Sequence, residues 1–341
     1  MSEQPPVIAE GLARHFGDVH AVDGVDLEVR PGEIFGFLGP NGAGKSTMGR
    51  MLVTLLRPTG GHARVAGHDI ATEADQVRRS IGVALQDAAI DPLMTGRELL
   101  DLQGVLHGIE KARVKAKSDE LLARVGLTEA ADRRVGQYSG GMRRRLDLAL
   151  GLIHEPRVLF LDEPTTGLDP TSRIALWDEV RRLNTELGTT VFLTTQYLEE
   201  ADQLAGRIAI IDQGRIVREG RPTELKAAVG TPTLQLQVAP ENTDKAKEVT
   251  ARFGESRAVS RGFGLGLSGG TATIADVVRA LDDAGITVEH LELTPPSLDD
   301  VFADATGRRL EGAGAAATGG PPGGGRPGGR GRGRGRGQGA P

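Results

Sequence analysis

The stretch Gly39-Pro-Asn41-Gly42-Ala43-Gly44-Lys45-Ser46-Thr47 constrains this chain more than any other. It follows the apolar run Ile34-Phe35-Gly36-Phe37-Leu38, which reads as a buried strand, and leads into Met48–Leu56, which reads as a helix. A strand, a glycine-rich loop and a helix opened by Lys-Ser make a phosphate-binding loop. The glycines let successive backbone N–H groups turn toward one centre, and the helix N-terminus adds the positive end of its dipole. Lys45 is placed to reach the β- and γ-phosphates, and the Ser46 hydroxyl to ligate Mg²⁺. The ligand this predicts is a nucleoside triphosphate.

Composition narrows the classes that remain. A chain of 341 residues is long enough for two domains with ordinary cores. It has no cysteine, which excludes disulfides, thiolate metal sites and thiol nucleophiles. No apolar run approaches the roughly 18–20 residues of a membrane span, and Met1-Ser-Glu-Gln-Pro-Pro lacks the basic and apolar regions of a signal peptide. The expectation is a cytosolic protein. The net charge of −5 hides an asymmetry: residues 312–341 hold five arginines and no acid, so the other 311 residues carry −10. An acidic body argues against wholesale nucleic-acid binding.

Along the chain, residues 7–30 alternate, as in Val25-Asp-Leu-Glu-Val-Arg30, and predict an antiparallel hairpin over the nucleotide domain. Phe16 could stack on a base or be an ordinary core residue. Short strands are expected at Ala63–Gly67 and Ser80–Leu85, the latter ending in Gln86, at the kind of strand end where open α/β sheets bind ligands. Residues 95–134 switch to helical spacing through Leu99, Leu100, Leu102, Leu106, Leu121, Leu122 and Val125, a helical insertion. It ends in Tyr138-Ser139-Gly140-Gly141-Met142, ahead of a helix expected at Arg143–Leu152 and forming a second anion-type helix N-terminus. The buried strand Val158–Leu161 ends in Asp162-Glu163, whose side chains point oppositely and can take separate tasks. Asp162 suits Mg²⁺ held through water, and Glu163 suits an attacking water. Thr166-Gly-Leu-Asp169-Pro170 then turns into a helix expected at Thr171–Leu187, and the strand Thr189–Thr195 ends in Gln196.

Taken in this order, the motifs resemble those of the nucleotide-binding subunit of ATP-binding-cassette (ABC) transporters over residues 7 to about 228. Walker A is Gly39–Thr47, the Q-loop carries Gln86, the signature is Tyr138–Met142, Walker B is Val158–Asp162 followed by Glu163, and the D-loop centres on Asp169. The resemblance implies an α/β fold with a RecA-like core, an antiparallel β subdomain and a helical signature subdomain. It implies ATP and Mg²⁺, with Ser46, Gln86 and Asp162 at the metal and Lys45, Glu163 and Gln196 at the chemistry. It also implies a head-to-tail homodimer in which Ser139, Gly140 and Gly141 close over the partner's ATP, and a Phe16 that stacks on adenine. Motion would pass to a separately encoded membrane permease, which puts the chain on the inner face of the cell membrane. Position 196 is usually histidine in this family. Gln196 keeps a hydrogen-bond donor but cannot carry positive charge.

Three segments look like the daunorubicin/doxorubicin-resistance subfamily: Tyr138–Leu150, Thr194–Ala201 and Pro296-Ser-Leu-Asp-Asp-Val-Phe302. They imply efflux of an antibiotic or other amphiphilic drug. Export of lipid or oligosaccharide, import, and a soluble ABC protein acting on ribosomes or nucleic acid are the other readings. A single cassette without a heptad array or cysteine weighs against the soluble one. The Gly230-Thr-Pro232 break predicts a boundary, giving a nucleotide domain at 1–230 and an accessory domain at 231–308. Strand and helix alternate in the latter as in a small ferredoxin-like α+β fold. Residues 309–341, with Arg330-Gly-Arg-Gly-Arg-Gly-Arg336, have no apolar surface to offset ordering and are expected to stay disordered, with anionic lipid or RNA as possible contacts.

Overall fold

The computed structural model describes residues 4–85, 90–259, 262–268 and 270–308. Strands β1 (Val7–Phe16) and β2 (Val19–Val29) form the expected hairpin, and β3 (Ile34–Leu38) runs through the glycine loop into α1 (Lys45–Leu52). β4 (Gly60–Val65) and β5 (His68–Asp69) join the hairpin in an antiparallel sheet ordered β2-β1-β4-β5. α2 (Ala74–Ser80) and β6 (Ile81–Ala84) lead to the helical insertion, α3 (Gly96–Leu106) and α4 (Lys111–Arg124), and then to α5 (Gly140–Leu152). The chain re-enters the core as β7 (Val158–Asp162), α6 (Pro170–Leu187), β8 (Thr190–Thr195), α7 (Leu198–Leu204), β9 (Arg207–Asp212), β10 (Arg215–Gly220) and α8 (Pro222–Val229).

The central sheet has the order β10-β9-β3-β8-β7-β6, with only β10 antiparallel. Its middle strands read as unbroken apolar runs because helices or the β-hairpin sheet cover both faces. One core joins Phe35, Phe37, Met48 and Phe192 to Val7 and Leu27 of the hairpin; another joins Leu100, Leu122, Leu146 and Ile153 of the helical layer to Trp177 and Val180. Parallel register aligns Leu38 with Thr195 and Asp162 with Thr194, so Gly39, Glu163 and Gln196 emerge at one edge of the sheet.

Two helices start three residues before the expected position. α1 begins at Lys45 rather than Met48, because Gly44 in a left-handed conformation (φ 108°) makes the turn, and it ends before Thr54, itself at φ 64°. α5 begins three residues early, because Ser139 accepts the Met142 N–H and caps it.

The accessory segment folds as β11 (Thr233–Val238), α9 (Thr243–Thr250), β12 (Gly254–Ala258), β13 (Phe263–Leu267), α10 (Ile274–Asp283) and β14 (Val288–Thr294), followed by α11 (Leu298–Thr306). The antiparallel order β12-β13-β11-β14 with two helices is the ferredoxin-like arrangement, and Leu234, Leu236, Phe263, Leu265, Val277 and Leu281 fill its core. Helix α11, which follows the accessory sheet in sequence, joins a different core. Leu298, Val301 and Phe302 are buried with Leu225 of α8, Ala201 of α7 and Ile208 and Ile210 of β9, on the nucleotide domain. A helix at this position is legible in the sequence; the surface that receives it is not.

In the helical layer His107, which follows α3, and His154, which follows α5, stack with ring centroids 3.8 Å apart and planes 9° from parallel. The His154 Nε2 lies 2.9 Å from the Ile81 carbonyl, which can only accept, so this nitrogen carries the proton, and the buried Nδ1 has no partner. Burial, then the neighbouring His107, pushes His154 down to about 4, with Lys117 acting in the same direction. An unfolded histidine binds a proton near pH 6.5. The folded state therefore gains from a neutral His154 above that pH and loses the gain as pH falls toward 4. His154→Gln lacks this component, so urea-denaturation midpoints of wild type and variant, compared from pH 7.5 to 4.5, should change their difference over this window, with the wild type losing more.

Candidate nucleotide site

The glycine loop is built around an ammonium taken out of water. Lys45 is 4 % exposed, and its Nζ donates to the carbonyls of Gly39 (3.0 Å) and Pro40 (3.1 Å) and lies 3.3 Å from Glu163 Oε1. Burial lowers its proton affinity and the Glu163 carboxylate opposes that shift. The loop cannot carry extra side-chain atoms at its ends. A Cβ on Gly39 would stand 2.4 Å from the Ile211 carbonyl oxygen, and one on Gly44 2.2 Å from that of Ala21. Helix α1 has no side-chain cap and no acid in its first turn, whereas α3, α6 and α11 are capped by Thr95, Asp169 and Ser297. Its first N–H groups are left for a ligand, and an anion suits them. Asn41 and Gly42 at the tip are exposed, Ala43 is buried, and Ser46 and Thr47 are half-buried on the first turn. These residues fit a triphosphate.

Opposite the loop, the end of β7 presents both carboxylates. Asp162 accepts a hydrogen bond from Thr194 Oγ1, which fixes one oxygen. Glu163, 5 % exposed, receives Gln196 Nε2 (3.3 Å) and Thr166 Oγ1 (3.2 Å) on Oε2 while Oε1 faces Lys45. Its backbone sits at φ 46°, unfavourable for a residue with a Cβ, and its N–H is tied to the Thr194 carbonyl at 3.0 Å. The structure thus brings Lys45, Asp162, Glu163 and Gln196 into one cluster. Such a cluster can hold a phosphate chain on Lys45 and set a carboxylate beside its end.

The signature lies elsewhere. Ser139 and Gly140 are exposed, Gly141 is half-buried, and among the described residues none is hydrogen-bonded to the glycine loop. They lean instead on the turn after β7: a Cβ on Gly141 would meet Ser172 Oγ at 3.1 Å and one on Gly140 would meet Leu168 at 3.5 Å. Asp169 caps α6 by accepting from the Ser172 N–H (3.0 Å) and hydroxyl (2.6 Å). Phe16 is 47 % exposed, with the Arg14 guanidinium 4.5 Å over its ring, so it is not a core phenylalanine. Gln86 lies outside the described residues.

Sequence reasoning missed Thr194, Thr166 and Arg144. The first two look like ordinary strand and turn residues. Arg144 had one available signal, an arginine three residues before Asp147 in the signature helix. The two pair at 3.1 Å, and burial pushes Asp147 up to about 6 against the pull of Arg144. Beside the hairpin, His15 and His20 approach Asp23 at 3.7 and 3.8 Å. Their rings stack with planes 17° apart, Arg215 holds the second Asp23 oxygen at 2.7 Å, and the three side chains offer ligand atoms within 4.8 Å of one another.

A glycine loop on β3, paired carboxylates on β7, a helical layer opening with Ser-Gly-Gly and a hairpin sheet define an ATP-binding cassette. The ABC transporter family model matches residues 22–166, and that of the ATP-binding protein DrrA1-3-like C-terminal domain matches residues 220–306. Over 325 residues the chain is 47 % identical to the daunorubicin resistance ATP-binding protein DrrA3 of Streptomyces coeruleorubidus, covering 90 % of this chain and 98 % of that one. It is 42 % identical to the doxorubicin resistance ATP-binding protein DrrA of Mycobacterium tuberculosis H37Rv, covering 88 % and 93 %. It is 39 % identical to the Nod factor export ATP-binding protein I of Rhizobium sp. N33, covering 88 % and 97 %. Among solved structures, the dimeric post-hydrolysis state of the cassette MJ0796 bound to ADP and Pi superposes with a TM-score of 0.57 at 26 % identity, covering 63 % of this chain and 98 % of that one. The chain belongs to the DrrA-like family of daunorubicin/doxorubicin-resistance ABC ATP-binding proteins.

The loop's tolerance of side chains should be uneven. Gly42 has φ 80° but open space where a Cβ would stand, whereas Gly39 faces a carbonyl. Gly42→Ala should fold, at a backbone cost of about 1–2 kcal/mol, and still bind a fluorescent ATP analogue. Gly39→Ala should lose that binding and melt at a lower temperature.

Proposed function

We propose that this chain is the ATP-hydrolysing motor of a drug-efflux transporter, working as a homodimer with a separately encoded membrane permease. The observation that carries the reading is the contact of Glu163 with both Lys45 and Gln196 at the mouth of an uncapped helix. Lys45 binds the β- and γ-phosphates, replacing the loop carbonyls it now holds. Ser46 and Asp162, with Gln86, are the residues to hold Mg²⁺, which when bound neutralises charge on the phosphate oxygens. Glu163 orients the attacking water and takes its proton. Gln196, which donates to Glu163 through its amide, keeps that carboxylate aimed and answers to the γ-phosphate. Phe16, with one face under Arg14, offers the other to adenine.

The signature residues Ser139, Gly140 and Gly141 make no hydrogen bond to their own glycine loop among the described residues, which suits them to close the site of a second copy. Asp169, bonded to Ser172 beside Gly141, steadies that surface. Closure on ATP and opening after phosphate release would drive the permease. Among the described residues no helix is long and apolar enough to cross a membrane. A peripheral place on the inner face of the cell membrane, reached through the permease, follows from this reading. The resistance-type names of the DrrA3 and DrrA relatives favour an amphiphilic drug as cargo, and the Nod-factor relative keeps oligosaccharide-type cargo as the second reading. The Arg/Gly tail lies outside the described residues.

Glu163→Gln should lower the ATP turnover at least a hundredfold and accumulate an ATP-bound dimer visible by light scattering. Purified from its own cells with ATP, the trapped variant should carry a polytopic membrane protein at a one-to-one ratio. Prompt turnover would remove Glu163 from the chemistry, and ribosomal proteins in place of a permease would remove the transport reading.

A further inference from the structure

Arg144 lies on α5 less than two turns after the signature, and its guanidinium is used to saturation. Nε donates to the Pro164 carbonyl at 2.7 Å. Nη1 donates to the Leu85 carbonyl at 2.8 Å and to Asp147 Oδ2 at 3.1 Å. Nη2 donates to the carbonyls of Asp162 and Glu163, both at 3.1 Å. An arginine has five N–H donors in a rigid planar fork, and these are five bonds. Three of the acceptors are consecutive carbonyls of the turn that holds Glu163 at φ 46°. A backbone held in this region costs about 1–3 kcal/mol and persists only where its surroundings over-determine it. Thr194 ties the Glu163 N–H from one side, and Arg144 ties the carbonyls from the other.

The fourth carbonyl belongs to Leu85, the residue before Gln86. The fifth acceptor, Asp147, is on the same helix, buried, and sets the guanidinium plane. One side chain therefore joins the signature helix, the strand end leading to Gln86 and the carboxylate turn of a single protomer. Lysine has three donors and no plane, and glutamine has two, so neither can reproduce the set.

We propose that Arg144 is a positioning residue that couples the two nucleotide sites of a dimer: engagement of the α5 N-terminus by the partner's ATP is passed through Arg144 to the Glu163 turn of its own site. This rests on the head-to-tail dimer reading above. The first turn of α5 faces the second copy while the next turn grips the home carboxylate, so a shift or tilt of one helix reaches both. All five bonds of Arg144 go to acceptors within its own chain. Its effect is on where Glu163 stands.

The test compares wild type with Arg144→Lys and Arg144→Ala, measuring ATPase activity per protomer against protein concentration and binding of a fluorescent ATP analogue to dilute protein. At low concentration all three should bind the analogue within twofold. As concentration rises, wild-type activity should climb, whereas Arg144→Lys should stay at least tenfold lower with its KM for ATP unchanged. Added methylguanidine should partly restore Arg144→Ala but not Arg144→Lys. The Glu163→Gln variant, with and without Arg144→Lys, reports dimer formation separately by light scattering. If both form the ATP-bound dimer while Arg144→Lys alone climbs like wild type, the coupling role is overturned and the dimer stands. If Glu163→Gln stays monomeric in ATP, the dimer reading falls and the coupling with it. Loss of analogue binding by dilute Arg144→Lys would make the residue structural and would also overturn the proposal.

Discussion

A buried ammonium sets the terms for the rest of this molecule. Taking Lys45 out of water costs several kcal/mol unless its charge is met, and only the ends of particular strands can meet it. The carbonyls of Gly39 and Pro40 come from the end of β3, and the carboxylate of Glu163 comes from the end of β7, two strands away. Strand β8 lies between them and supplies Thr194 to both Asp162 and the Glu163 backbone. The parallel register of three adjacent strands is thus what places a cation, two carboxylates and their supports within reach of one another.

Strain sits at the candidate site. Glu163 occupies a backbone conformation that its Cβ disfavours, and the neighbours bonded to it come from different elements: Thr194 from β8, Gln196 from the segment beyond it, Thr166 from the following turn and Arg144 from α5. Such a residue can be held only by a completed fold. The signature, by contrast, is stabilised locally, by the Ser139 cap and by small residues packed on the start of α6, which leaves its outer surface open. The two halves of the machinery are built by different means, one by long-range convergence and the other by local helix chemistry.

The accessory segment follows the same division. Its ferredoxin-like sheet buries its own core, but α11 leaves it and packs Phe302 and Val301 against α7, α8 and β9. Helix α7 follows directly on the strand and turn carrying Thr194 and Gln196. The C-terminal helix is therefore part of the wall behind the nucleotide domain. Its place in the sequence, just after the last strand of the accessory sheet, would assign it to the other side of the boundary, since consecutive elements are usually neighbours in space.

Much of this is legible in the chain as a string of residues. Glycine spacing, the Lys-Ser step, apolar runs bounded by polar tips and the Ser-Gly-Gly turn each declare a local conformation, because local sterics and capping act within a few residues. They name Lys45, Ser46, Asp162, Glu163, Ser139 and the ferredoxin-like alternation. Period alone could not say that Arg144 points inward, that Thr194 is a support, that α11 crosses back, or that Gln196 bonds Glu163 rather than solvent. Those facts depend on which strand lies beside which and on how helix faces meet, and contacts between residues tens of positions apart leave no periodic mark on either partner. By itself the sequence determined the elements, the phosphate loop and the candidate chemistry. Only the tertiary structure decided which side chains hold that chemistry in place, because burial and donor saturation are properties of the packed whole.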